Sequence, residues 1–242
     1  ALGVNQEWSI DLTSARLDAP TRPAPLQVRR EDGASRWRAV VRSNLAAAAG
    51  ALAECHGGEG LGALIPMSAA LAGSANPPEA SALADPVARR AAGGLATVCA
   101  GLRARDGAAV EAGAAALIGL GVGLTPSGDD ALTGMMGGLM ILAPSQSLLR
   151  DWIVKVAADV AAMAKGRTTR IAEAYLWHAA RGEVSDVTAR FISALAHGTA
   201  DKARRGARAL AAIGESSGVD TALGVILALE CLMSSGGCRD GV

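Results

Sequence analysis

Residues 119–134 read Gly-Leu-Gly-Val-Gly-Leu-Thr-Pro-Ser-Gly-Asp-Asp-Ala-Leu-Thr-Gly, and this stretch narrows most what the chain can become. Glycines at 119, 121 and 123 open backbone conformations closed to residues with a Cβ. An apolar run of helical length, Ala131–Ala143, follows. Ser127 or Asp129 is suited to cap that helix, and acids in its first turn complement the helix dipole. The spacing predicts a loop over Gly119–Ser127 joining two helices, with the helix through Ala131–Leu142 buried. Two readings stand side by side. The loop is either a tight turn that caps a core helix, or an amide cradle that, with the helix N-terminus, attracts a phosphate or carboxylate.

A second stretch repeats the frame. Ser217-Gly218-Val219-Asp220-Thr221-Ala222-Leu223-Gly224 matches Ser127-Gly128-Asp129-Asp130-Ala131-Leu132-Thr133-Gly134 as Ser-Gly-x-Asp-x-x-x-Gly, and both open an apolar helix. A core helix has no need of Ser-Gly-x-Asp before it. The echo therefore predicts that Ser127–Asp130 and Ser217–Asp220 lie together, within reach of one small ligand.

Composition limits the partners. Aromatics are 2% of the chain against 50% hydrophobic residues, so the core is built from Ala, Leu, Val, Ile and Met; with 30 glycines, this favours helices packed at close backbone distance. Lys plus Arg and Asp plus Glu number 23 each, so no basic field exists to hold nucleic acid or an anionic membrane. Cys55, Cys99, Cys231 and Cys238 lack metal-ligand spacing and read as reduced thiols of a cytoplasmic protein, Cys231 and Cys238 being a possible pair. His56, His178 and His197 have no histidine at i+4, which disfavours a histidine-rich zinc site. The apolar runs at Ala131–Ala143 and Ala222–Leu229 fall short of the ~20 residues a membrane span needs.

Taken in order, residues 6–18 alternate in part, with Trp8, Ile10 and Leu12 on one face, and predict a small β element within residues 1–30. From Ser35 the pattern turns helical, with Trp37, Val40, Val41, Leu45, Ala48 and Leu52 on one face. Gly57–Gly62 ends that helix; it reads more readily as a terminator than as a partner to the first glycine run. Residues 73–86 form a surface excursion. Asp85-Pro86 opens the next helix, and Asp106-Gly107 turns into the apolar helix Ala108–Leu120. After Pro144 a stripe of Leu149, Trp152, Ile153, Val156, Val160 and Met163 reads as core. Further helices follow at Ile171–Ala180, Val184–His197, Ala200–Ile213 and Val219–Ser234. The expectation is a mainly α fold, one helical domain over residues 1–242 with about eight or nine helices and a helical body at 35–235.

Gly214-Glu215-Ser216-Ser217-Gly218 has Gly-x-Ser-x-Gly spacing but follows an expected helix, Ala200–Ile213, where a nucleophile elbow follows a strand, so no elbow is read; Gly123–Ser127 contains no P-loop Lys. What remains is a set of anion-binding parts with acids beside them. Gly121, Gly123, Thr125, Ser127 and Gly128 are suited to hold ligand oxygens, with Ser216, Ser217 and Gly218 as their counterpart. Arg167, Thr168 and Thr169 supply a cation and hydroxyls before a helix, either as a ligand grip or as a solvated cap. Asp129, Asp130 and Asp220 are candidates to coordinate Mg²⁺, orient an amide –NH₂ or act as a general base. A bare carboxylate pair repels a bound anion, so without a cation at least one Asp must face N–H donors. No cofactor is required by these parts, and Mg²⁺ is compatible with them.

The block Leu117–Asp130, reading Leu-Ile-Gly-Leu-Gly-Val-Gly-Leu-Thr-Pro-Ser-Gly-Asp-Asp, resembles the signature of a bacterial family. It is a domain-of-unknown-function family that includes the small subunit of oxamate carbamoyltransferase, an enzyme of allantoin and ureide degradation. Thr168-Thr169-Arg170-Ile171 through Ala180-Arg181-Gly182, and Ser216–Thr221, are similar to its later blocks in order and spacing, so the likeness spans about residues 110–235. The resemblance implies a subunit of a carbamoyltransferase-like complex, with hetero-subunits as partners and oxamate or a related ureide and carbamoyl phosphate as its chemistry. Two other classes stay open: a non-catalytic helical scaffold subunit, and a stand-alone enzyme or binder of a phosphorylated small molecule.

Overall fold

A computed structural model describes residues 31–55, 60–73, 83, 85–143 and 147–234. It is mainly helical, and no strand occurs among the described residues. The β element expected within 1–30 lies outside them. Among the described residues ten α-helices run in order: α1 Glu31–Cys55, α2 Ser68–Gly73, α3 Pro86–Ala104, α4 Gly107–Leu117, α5 Ser127–Leu142, α6 Leu148–Ala164, α7 Arg170–Ala179, α8 Asp186–His197, α9 Ala200–Ala211 and α10 Ser217–Ser234. A 3-10 turn, Gly62–Met67, precedes α2.

The outer helices are amphipathic and capped by their own flanking side chains. Asp85 accepts from Val87 and Ala88 N–H, Ser147 from Arg150, Thr169 from Ala172 and Ser185 from Thr188. Each cap satisfies an N–H that the helix itself leaves orphaned. α1 is helical from Glu31 on, ahead of the expected Ser35, and turns Val41, Leu45, Ala48 and Leu52 inward, while Val40 of the same expected stripe is 39% exposed. Its buried Asn44 donates to the Leu195 and Gly198 carbonyls at 3.0 and 3.1 Å, and Trp37 Nε1 to Ala196 O at 2.9 Å. These three bonds satisfy the C-terminal end of α8 from a helix far away in sequence.

α5 and α10 form the centre, buried almost all round. That explains their lack of an apolar stripe: a helix surrounded by protein is apolar on every face. α10 is also long and apolar enough to cross a membrane, yet most of it is covered by its neighbours here. The pair packs at backbone distance and reciprocally. A Cβ at Gly134 would lie 2.0 Å from Thr221 O, and one at Gly224 would lie 2.0 Å from Ala131 O. In the shared frame Gly134 corresponds to Gly224 and Ala131 to Thr221, so each helix makes the same contact on the other. One turn further, Gly138 abuts Ala228, its own counterpart. The contacts advance in the same direction along both helices, so α5 and α10 run side by side with their N-termini at one end.

Cys99 of α3 and Cys231 of α10 are both buried, and their thiols interact. That hydrogen bond, with burial, pushes the Cys99 thiol well above its ordinary value. The partner of Cys231 is thus Cys99 of a distant helix; Cys238 lies outside the described residues.

Candidate functional site

The loop predicted over Gly119–Ser127 is present, running from Ile118 to Pro126 between α4 and α5 without a strand. Neither Ser127 nor Asp129 caps α5. Pro126 occupies the N-cap position with no side-chain bond, and both expected caps lie within the helix. The reason is that their side chains are engaged elsewhere or packed away. Asp129 is 1% exposed and reaches back across the loop, accepting Gly119 N–H at 3.1 and 3.2 Å and the Thr168 hydroxyl at 2.5 Å. Gly119 has φ +73°, and a Cβ there would stand 2.7 Å from Arg167 O, so only glycine threads the chain between α5 and the α6–α7 turn.

The two Ser-Gly-x-Asp elements do meet. Thr125 Oγ1 and Ser217 Oγ are 2.7 Å apart, joining the first loop to the start of α10. Both hydroxyls also bond the Asp130 carboxyl, which in addition feels the charges of Asp220 and Asp129. Burial dominates the outcome. Asp130 is 4% exposed and its pKa is pushed up to about 7, against the pull of the two hydroxyls and with a further push from the two acids. Its Oδ2 is buried without a hydrogen-bond partner among the described residues. Burial raises Asp129 as well, opposed by Thr168 and Gly119.

Asp220 is fully buried and is held from an unexpected side. Leu61 N–H donates to its Oδ1 at 2.6 Å. A Cβ at Gly60 would fall 2.7 and 2.8 Å from the Asp220 carboxylate oxygens and 2.5 Å from Ser216 Cβ. The second glycine run is therefore more than the helix terminator expected of it: Gly60-Leu61 closes over the second Ser-Gly-x-Asp element. Its signal in the sequence was a further run of glycines, but only the packing of the turn against α10 shows which element it meets.

The other predicted site residues divide. Ser127 and Gly128 are buried at the start of α5; Gly128 N–H bonds Leu120 O at 2.8 Å, as its counterpart Gly218 bonds Ile213 O at 2.9 Å. Asp129, Asp130 and Asp220 N–H also bond backbone carbonyls, of Pro126, Pro126 and Ser216. Five amides expected to greet an anion are thus already engaged with the protein's own oxygens. Thr169 caps α7 and donates to Leu124 O, drawing the loop onto α7. Arg167 turns away and donates to Ala115 O of α4 at 3.2 Å. Gly121 packs on Ser127 N, whereas Gly123 touches nothing and lies in an exposed tip beside Val122 and Leu124. Among the described residues no three His, Cys, Asp or Glu side chains gather as a metal cluster.

What the arrangement offers is a buried, acid-rich junction between two parallel helix N-termini, with one carboxyl poised near neutrality. No curated protein and no solved structure matches the chain. Residues 117–229 match a family model described as oxamate carbamoyltransferase subunit AllH. The match begins at the last residue of α4 and ends inside α10, taking in both Ser-Gly-x-Asp elements and the α6–α7 turn but not Gly60-Leu61. That segment, a little under half of the chain, is similar to the family of the oxamate carbamoyltransferase subunit AllH.

Proposed function

We propose that this chain is a subunit of a carbamoyltransferase complex and that the junction of α5 and α10 handles a carbamoyl or amide group of the substrate. The observation that carries the reading is Asp130: a buried carboxyl with a bare Oδ2, its pKa pushed up to about 7 beside Asp220. Such a group accepts an N–H when ionised and donates a proton when neutral, which suits a general acid–base role near pH 7. In carbamoyl transfer to an amide nitrogen, that nitrogen loses a proton as its bond to the carbamoyl carbon forms and the carbon–phosphate oxygen bond breaks. Asp130 is the acceptor for that proton. Because most first-turn amides are occupied, an N–H-bearing end of the ligand fits this junction better than a bare phosphate, which three acids would repel.

Asp129 and Asp220 serve in this reading as ties, since each accepts a backbone N–H from another loop, Gly119 and Leu61. That same observation favours the second reading, a scaffold subunit in which all three acids are architecture. A Mg²⁺ is not required, and its best ligand would be Asp130 Oδ2, as Mg²⁺ is held by one or two carboxylates and water. The test is activity of the complex reconstituted with Asp130→Asn or Asp220→Asn, with melting temperatures alongside. A drop of about tenfold or more for Asp130→Asn in a folded protein supports the acid–base role; full activity leaves the scaffold reading. Stabilisation of the native chain by added Mg²⁺, lost in Asp130→Asn, would assign the site to the metal instead.

A further inference from the structure

α6 and α7 form a hairpin around the turn Lys165–Thr169 and leave an open groove of about 650 Å³ between them. Its floor is small and apolar: Ala158, Ala161, Ala162 and Ala174. Val154 and Trp177, 42% and 49% exposed, stand at its sides. Small residues let another backbone approach closely, and contiguous exposed apolar surface of this kind marks an interaction site. α7 gives the groove a length of about 15 Å, three helical turns.

Charge says what covers it. The lining carries Lys165 and Arg170 toward the turn and Arg181 at the other end, against one acid, Glu173. Glu173 is already engaged, accepting Gly166 N–H at 2.6 Å. Among the described residues neither Lys165 nor Arg170 has a carboxylate within ion-pair distance, while acids and bases balance over the whole chain. Arg181 stands over the Trp177 ring, its Cζ 3.3 Å from the ring centre, and one of its NH groups donates to Trp177 O at 2.6 Å. A guanidinium held this way keeps its remaining N–H donors for a carboxylate. The groove is also tied to the site through the hairpin turn between Lys165 and Arg170. Its turn bears Thr168, which holds Asp129, and Thr169, which holds the Leu124 carbonyl.

We propose that this groove is the docking face for an α-helical segment of a partner subunit, one with a small apolar stripe and acidic residues toward both ends. The proposal rests on the reading of the chain as a complex subunit. A helix seated there bears on the Lys165–Thr169 turn and so fixes the side chain that orients Asp129, linking assembly to the site.

The test uses the full chain co-expressed with the other subunits of its complex. A photo-crosslinking residue is placed at Ala162 or Ala174, with Arg190 on α8 as control, and association is measured for the surface variant Lys165→Glu/Arg170→Glu. Crosslinks from 162 and 174, but not 190, to an acidic helix of one partner are expected. The double charge reversal is expected to weaken association by about tenfold or more, an effect that shrinks with added salt, with melting within about 2 °C of the parent. Unchanged association, or crosslinks to a basic or non-helical segment, overturns the proposal while leaving the subunit reading in place. Crosslinks only between copies of this chain overturn it in favour of self-association. Failure of the unmodified chain to associate with any of those subunits overturns both.

Discussion

Asp130→Asn is the most informative single change. An Asp raised from 3.8 to about 7 keeps its proton in the folded protein where the unfolded chain has lost it. The folded state therefore binds more protons than the unfolded state over this range, and stability falls as pH rises, at about 1.4 kcal/mol per pH unit. The contribution is whole below about pH 4, is lost as pH climbs through about 7, and levels off beyond. The total is about 4 kcal/mol as a ceiling. Between pH 5 and pH 8 the share is about 3 kcal/mol, or about 5–10 °C in melting temperature for a chain of this size. Asn cannot ionise. Its Oδ1 keeps the Thr125 and Ser217 hydroxyls, and its –NH₂ places a donor where Oδ2 has none, in the negative field of Asp220. Melting curves of both proteins at half-unit steps from pH 5 to 8.5 are expected to coincide within a degree or two (about 1 kcal/mol or less) at the acid end and to diverge above pH 6, the variant melting higher. A parent curve parallel to that of the variant throughout, or a variant less stable at pH 8, would refute the account of Asp130 as a buried acid held neutral.

Four further outcomes follow from the same geometry. Gly134→Ala and Gly224→Ala each put a methyl about 2 Å from a carbonyl oxygen of the facing helix, and chemical denaturation should show losses of at least about 3 kcal/mol or no soluble protein. Gly93→Ala, with nothing near its Cβ, should instead gain about 0.5–1 kcal/mol. Thr168→Val removes the hydroxyl donor to buried Asp129; it should cost about 1–3 kcal/mol, and more at pH 8 than at pH 5 because the ionised carboxylate is what loses its partner. In a Cys238→Ser background, a thiol reagent should label exposed Cys55 promptly and reach Cys99 and Cys231 only on unfolding, with rapid labelling of three thiols counting against the buried pair.

Much of this protein is determined by local sequence. Apolar periodicity and the punctuation by Asp85-Pro86, Asp106-Gly107 and Thr169 set every described helix except α2 to within a few residues, because capping and helix burial are decided over one or two turns. The Ser-Gly-x-Asp echo pointed to the α5–α10 junction for the same reason: two helices that must touch at backbone distance both need glycine at the point of contact. The cap of α5 is not legible in the sequence, since whether an Asp bonds its own helix or a distant N–H depends on what the fold brings within reach. Only the tertiary structure joined Leu61 to Asp220, Asn44 to the end of α8, and Cys99 to Cys231. It alone turned Arg167 toward Ala115 and away from the acids. The near-neutral Asp130 was equally out of reach of the sequence. Its charge state is set by exclusion of water and by Asp220 and Asp129, and only the packed fold specifies that burial and the approach of Asp220.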